Sequence, residues 1–156
     1  MIRVLFVCLG NICRSPMAEA VFRDLIRREG LQNKISVDSA GTGNWHIGNP
    51  PHKGTVTLLK QKSIPTEGMK ARQIAREDGE IFDYILAMDS QNLHDLQKVI
   101  QPKEGSLVTR FLDLVEDAPF EDVPDPYFTG DFDEVYDLII RGCKALLKRI
   151  KQEANL

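Results

Sequence analysis

The part of this sequence best suited to chemistry is Cys8-Leu9-Gly10-Asn11-Ile12-Cys13-Arg14-Ser15-Pro16, in which five residues separate a thiol at Cys8 from a guanidinium at Arg14. A loop curling round a tetrahedral dianion over that spacing would set the sulfur at its base and the planar fork of Arg14 against two phosphate oxygens. The same positive surroundings favour the thiolate, and a thiolate so placed could attack phosphorus. The flanking elements suit this task. Residues 2–7 form an apolar run that reads as a buried strand, and the segment after the loop has helical periodicity. Strand, short loop and helix N-terminus in that order make an anion site, because backbone N–H groups left unpaired by the helix converge on one oxyanion. Ser15 suits the N-cap and Pro16 the first helical position, while the capping box is incomplete, since position 18 is Ala and Glu19 comes one residue late. The bland alternative is an inert buried thiol beside a surface charge, and the strand before and the Ser-Pro start after weigh against it.

The rest of the chain supplies a scaffold. Ala18, Val21, Phe22, Leu25 and Ile26 share a helix face that Gly30 is placed to end. Residues 35–40 alternate as a half-exposed strand, with Ser39 at its carboxyl end, where ligands bind in open α/β sheets or where a plain turn hydroxyl would equally sit. Trp45 follows in a loop, and a large aromatic there either plugs the surface or lines a site. Val56, Leu58 and Leu59 mark a short helix, and residues 69–77 a second with Ala71, Ile74 and Ala75 inward. Residues 82–88 form a third strand, Asp89 or Ser90 caps a helix carrying Leu93, Leu96 and Ile100, and residues 107–112 form a fourth strand. Residues 113–130, rich in Pro and acid, form a long functional loop. A final helix buries Phe132, Val135, Tyr136, Ile139, Ile140, Cys143, Leu146, Leu147 and Ile150, with Asp131 and Glu134 as its capping box and a basic outer face that is simply solvated. Strands alternating with helices predict a parallel sheet covered on both sides.

Composition narrows the partners. A chain of 156 residues with 42% hydrophobic and 28% charged content is predicted to form one globular domain over 1–156. A net charge of −3 without a basic run argues against nucleic acid, and no apolar stretch is long enough for a bilayer. Three cysteines, two of them in one loop beside Arg14, suit reduced thiols in a cytoplasm, not a secreted disulfide framework. His46, His52 and His94 lack metal-ligand spacing, so neither metal nor cofactor is expected, and a monomer is.

The run C-L-G-N-I-C-R-S from Cys8 to Ser15 resembles the phosphate-binding signature of the low-molecular-weight protein tyrosine phosphatases. Asp125-Pro126-Tyr127 is similar to that family's general-acid loop. Asp38-Ser39-Ala40-Gly41, Trp45, Lys70-Ala71-Arg72-Gln73 and the stretch from Asp83 to Asp89 resemble family segments in order, so the likeness spans nearly the whole chain. It implies a three-layer α/β/α fold with a four-stranded parallel sheet in the order 2-1-3-4 and the phosphate loop at the switch point after strand 1. It further implies that Cys8 is the nucleophile and that the amides of Leu9, Gly10, Asn11, Ile12, Cys13 and Ser15, with Arg14, bind phosphate. Ser39 would hydrogen-bond Asn11, and Trp45 would wall the cleft. Many members carry a histidine before Lys-Ala-Arg-Gln that supports the loop, and Met69 stands in its place here.

For the general acid the candidate is Asp125, confined between Pro124 and Pro126. It would protonate the leaving phenolate and then activate water. By composition alone it is one acid among Glu116, Asp117, Glu121, Asp122, Asp131 and Asp133, and the Asp-Pro-Tyr match singles it out. Coexistence of a thiolate with a protonated acid predicts a bell-shaped rate profile with a mildly acidic optimum. Tyr127 and Phe128 either sandwich an aryl ring or anchor the loop, and the resemblance favours the sandwich, hence phosphotyrosine proteins or small aryl phosphates as substrates. Ile12, where phosphoarginine-directed members tend to carry Thr, points the same way. Cys13 either fills space or forms a protective disulfide with an oxidised Cys8. The competing activities are arsenate reduction, arginine dephosphorylation, a non-hydrolytic cysteine phosphotransfer carrier and a phosphopeptide-binding module. Thiol-dependent reduction needs more downstream cysteines than Cys143, which sits in the final helix stripe.

Overall fold

A computed structural model describes residues 1–156. The chain runs β1 (Ile2–Cys8), α1 (Arg14–Arg28), β2 (Ile35–Gly41), α2 (Lys53–Gln61), a single turn α3 (Asp78–Ile81), β3 (Tyr84–Ala87) and α4 (Ser90–Gln97). It continues through β4 (Leu107–Arg110), a 3-10 turn (Phe111–Leu114), the short α5 (Pro126–Thr129) and α6 (Phe132–Ala154).

Both helical layers rest on β1. Its side chains alternate, so Val4, Phe6 and Cys8 face one apolar cluster while Leu5 and Val7 face another, and all five are buried. Neither set of alternate positions meets water, which is why this strand is apolar throughout. The four strands are parallel in the order β2-β1-β3-β4, as the resemblance implied, with Cys8 opposite Gly41 and Val7 opposite both Ala40 and Ala87. Connections leave β1 toward β2 and return to β3 on its other side, so the carboxyl end of β1 is the switch point where such sheets open a crevice.

The larger layer is built on Phe6, which meets Phe22 of α1 and Phe111 edge-on at ring distances of 5.8 and 5.6 Å. Burying an aromatic of this kind stabilises the fold by about 2–3 kcal/mol. Helix α6 closes over them by way of Gly142, where a Cβ would lie 2.1 Å from the Phe111 ring. Of its expected stripe Val135, Ile139, Cys143, Leu146, Leu147 and Ile150 are buried, Phe132, Tyr136 and Ile140 are half-buried at its margin, and Leu138 joins it. On the opposite face Leu96 of α4 packs with Ile74, Phe82, Ile85 and Ile100.

Several local expectations are corrected. Ser15 is not an N-cap: α1 begins at Arg14 behind Cys13, which makes no side-chain cap bond, and the Ser15 side chain is buried and used elsewhere. Residues 69–75 form no helix, and Arg76 and Glu77 make only the turn that leads into α3. The backbone of residues 69–75 pairs with earlier segments through Ala71 N to Asn49 O, Gly48 N to Ala71 O, Gly41 N to Arg72 O and Ile74 N to Gly41 O, each 2.8 Å, and those bonds outcompete a local helix. Ala71 and Ile74 are still buried. The third strand is shorter than residues 82–88, although Asp83 and Met88 still donate to Arg3 and Val7 of β1. The fourth strand ends at Arg110, where the chain tightens into the 3-10 turn. The capping box of α6 is half made. Asp131 accepts from the Glu134 N–H at 3.0 Å, but its own N–H goes to Thr129 Oγ1.

Candidate active site

Cys8 ends β1 with its residue 2% exposed, and the chain then turns over it. The turn depends on Asn11, whose φ of 57° lies in the left-handed region that Asn tolerates better than most residues. Its side chain then ties the loop together. Asn11 Nδ2 donates to Ser15 Oγ at 2.8 Å and to Ser39 Oγ at 2.9 Å, while its Oδ1 accepts from the Arg72 N–H at 3.0 Å. Ser15 Oγ, which accepts from Asn11, lies 2.9 Å from the Cys8 sulfur, and its hydroxyl hydrogen is free to donate to a thiolate there. The Asn11 N–H donates to the same sulfur at 3.3 Å. A hydroxyl and a backbone N–H thus lie within hydrogen-bond reach of one sulfur. Ser39 in turn donates to Glu19 Oε1 at 2.5 Å, and Glu19 is paired with Arg23 on the same helix. Met69 packs half-buried against the core beside Asn11, Glu19 and Ser39, and Glu19 ends the hydrogen-bonded chain that runs from Asn11 through Ser39.

Arg14 projects from the first turn of α1 and is buried. Its Nη1 donates to Asp89 Oδ2 at 2.7 Å and to the Val123 carbonyl at 3.0 Å, and its Nη2 donates to Asp125 Oδ2 at 3.3 Å. Burial opposes the cation, but Cys8, the Asp89 hydrogen bond and Asp125 together outweigh it and raise the guanidinium pKa further above its ordinary value. Asp89 serves twice, since its Oδ1 caps α4 by accepting the Asn92 N–H at 2.7 Å. Asp125 is likewise the N-cap of α5, where Pro126 takes the first position and the Tyr127 N–H donates to Oδ1 at 3.1 Å. One carboxylate oxygen is thus held by a backbone donor and the other faces Arg14.

These groups line a cleft of about 390 Å³ that opens past Ile12, Gly10 and an aromatic rim. Trp45, Tyr127 and Phe128 form that rim and are 68%, 55% and 76% exposed, so they do not anchor their loops to the core. Tyr127 meets Phe128 edge-on at 5.3 Å and His52 at 6.0 Å, and His52 stacks on Phe132 at 5.3 Å. His46 also lines the cleft, lying so close to Gly10 that a Cβ there would be 3.0 Å from its ring. A larger hollow between the C-terminal ends of α1 and α6 is lined by Lys144, Lys148, Lys151 and Glu29 and contains no nucleophile.

Cys13 sits in the same loop, buried, with its thiol pushed up to about 12 by burial first and then by Cys8 and Asp125. Its carbonyl accepts from Thr55 Oγ1 at 3.2 Å. All three cysteines are free thiols, and no three His, Cys, Asp or Glu side chains converge to ligate a metal.

The candidates Cys8, Arg14 and Asp125 therefore meet in one cleft, with the loop residues Leu9, Gly10, Ile12 and Cys13 also on its wall, and Asn11, Ser15 and Ser39 lie behind the loop as its hydrogen-bonded support. Asp89 and Glu19 were missed as site residues. Asp89 gave a signal as a helix cap and as the end of a family-like stretch, without a role at the site, and Glu19 only as a failed capping-box acid.

The family pattern described as "Low molecular weight phosphotyrosine protein phosphatase" matches residues 3–156. The low molecular weight protein-tyrosine-phosphatase YfkJ of Bacillus subtilis is 56% identical over 156 residues, covering all of both chains. Its crystal structure superposes with a TM-score of 0.94 over 98% of this chain and 96% of that one. The protein-tyrosine-phosphatase PtpA of a Staphylococcus aureus strain is 43% identical over all of this chain and 98% of its own. The Drosophila arginine phosphatase DARP superposes with a TM-score of 0.87 at 36% identity, over 95% of this chain and 97% of that one. With Cys8 on the loop after β1 at the switch point and relatives matching from end to end, this chain is a member of the low molecular weight protein-tyrosine phosphatase family.

Proposed function

We propose that the protein hydrolyses phosphotyrosine, and aryl phosphate monoesters generally, through a phosphocysteine at Cys8 with Asp125 as acid and then base. The observation that carries this is the Cys8 sulfur at the cleft base, facing the Ser15 hydroxyl at 2.9 Å and the Asn11 N–H at 3.3 Å, with Arg14 and Asp125 3.3 Å apart on the same cleft. In the first step the thiolate attacks phosphorus in line with the aryl oxygen. The P–S bond forms, the P–O bond breaks, and the Asp125 proton goes to the departing phenolate. In the second, water attacks phosphorus opposite sulfur and gives its proton to Asp125. The P–S bond then breaks and the thiolate returns to its two donors, releasing phosphate.

Arg14 and the loop amides from Leu9 to Ser15 stabilise charge at the equatorial oxygens, and Asp89 and the Val123 carbonyl fix the plane of the guanidinium. The exposed rim of Trp45, Tyr127 and Phe128 offers faces for an aryl ring, which supports an aryl ester over an aliphatic one. Arginine dephosphorylation is the second reading, since DARP shares the fold, and Ile12 at the cleft wall gives the apolar contact that suits a phenyl ring. The three free thiols suit a reducing cytoplasm, and no helix is long and apolar enough to cross a membrane. We take the working form to be a monomer.

Turnover of a phosphotyrosine peptide, a phosphoarginine peptide and arsenate by wild type, Cys8→Ser and Asp125→Asn tests the reading. Cys8→Ser should abolish peptide hydrolysis and Asp125→Asn should lower kcat by about 10²-fold or more. Faster turnover of phosphoarginine, or of arsenate, would replace phosphotyrosine as the substrate.

A further inference from the structure

The loop that carries Asp125 is held from outside the cleft by a set of charges unconnected with Cys8. Arg110, the last residue of β4, is gripped by Asp113 through Nε to Oδ2 at 3.1 Å and Nη2 to Oδ1 at 3.0 Å, and Thr109 Oγ1 donates to the same carboxylate at 2.9 Å. Arg110 Nη1 donates to Ser90 Oγ at 3.1 Å and to Glu121 Oε2 at 3.3 Å. Ser90, the first residue of α4, donates to Asp122 Oδ1 from both its hydroxyl, at 2.8 Å, and its N–H, at 2.9 Å. Asp122 is thus docked on an N–H that the helix leaves unpaired, where the helix dipole favours a carboxylate.

The next residue, Val123, is buried, with its N–H on the Met88 carbonyl at 2.9 Å and its carbonyl on Arg14. Asp125 follows two residues later. Upstream, Glu116, Asp117, Pro119, Phe120 and Glu121 are all exposed, so the chain entering Val123 is tied down by Asp122 on Ser90 and by Glu121 on Arg110, and without Asp122 it keeps only the exposed Glu121 pair at 3.3 Å. We propose that Arg110, Ser90 and Asp122 form a clasp that positions Asp125 for proton transfer to the leaving oxygen, and that they do so without touching substrate. The clasp rests on the reading of Asp125 as general acid.

The test compares kcat/KM for phenyl phosphate, whose leaving group needs a proton in the transition state, with kcat/KM for 4-nitrophenyl phosphate, whose leaving group needs one far less. The ratio of nitrophenyl to phenyl turnover should rise about 10²-fold in Asp125→Asn. It should rise about tenfold in Asp122→Ala and in Ser90→Ala, and stay at the wild-type value in Ser90→Thr, which keeps the hydroxyl. Asp122 and Ser90 are exposed, so truncation opens no cavity, and unchanged thermal midpoints separate positioning from unfolding. A wild-type ratio in both alanine variants, with a raised ratio in Asp125→Asn, overturns the clasp alone. An unchanged ratio in Asp125→Asn overturns the assignment of the acid and the clasp with it.

Discussion

Two thiols share the loop after β1, and their surroundings differ. Cys8 faces a hydroxyl and a backbone N–H, whereas Cys13 is held up at about 12 by burial first and by the neighbouring Cys8 and Asp125 next, so it stays protonated at neutral pH. Iodoacetate at pH 7 should therefore carboxymethylate Cys8 and spare Cys13, with inorganic phosphate protecting, as read by peptide mass. Label on Cys13 at a comparable rate would contradict the geometry. Legibility at this scale followed sequence distance. Cys8 and Arg14 were readable because the chemistry lies within one loop. The pairing of Arg14 with Asp89 was not, since it joins residues far apart in the chain, and Asp89 already had a sufficient explanation as a cap. Ser15 misled for a related reason: a serine before proline fits an N-cap, and only the fold shows its hydroxyl turned inward to sulfur.

At the scale of elements, the loop after β1 lies on the end of β2. Thr42 and Gly43 donate to the Cys8 and Leu9 carbonyls at 2.9 and 2.8 Å, and a Cβ on Gly41 would meet the Leu9 carbonyl oxygen at 2.9 Å and the Asn11 nitrogen at 3.1 Å. These are backbone atoms, which cannot swing aside. Gly41→Ala should displace the loop, weakening competitive inhibition by phosphate at least several-fold and costing about 1–3 kcal/mol of stability. Unaltered phosphate inhibition would show that the loop absorbs a methyl group without moving. Strands and long helices were readable from their apolar periods, down to the stripe of α6. The segment at residues 69–77 was not, because its apolar spacing fits a helix while its hydrogen-bond partners, Gly41 at the end of β2 and Gly48 and Asn49 in the loop beyond it, lie far along the chain where local periodicity does not see them.

For the whole molecule, ionisation sets a window of stability. Burial would raise Asp83 and Asp113, but hydrogen bonds from Lys103 and the Arg3 N–H to the first, and from Arg110 and Thr109 to the second, leave both below the ordinary carboxylate value. Each therefore stabilises the fold above the unfolded pKa of about 3.9 and loses that contribution as pH falls through its lower folded value. Cys13 and Cys143 run the other way. Burial raises both thiols, so their contribution is complete below the unfolded pKa of about 8.5 and fades as pH climbs beyond it. Chemical denaturation should give a plateau between about pH 5 and 8 that falls on both sides, with Asp83→Asn and Asp113→Asn blunting the acid limb. A stability still climbing below pH 4 would reverse the sign assigned to those carboxylates. Within that window the amide of Asn11 acts as a watershed. Its two hydrogens flow outward, one through Ser15 to the sulfur and one through Ser39 to Glu19, and an amide nitrogen cannot hand a proton from one slope to the other. A proton on Glu19 therefore has no relay to the sulfur along this chain of hydrogen bonds, although the two ends are tied to one side chain.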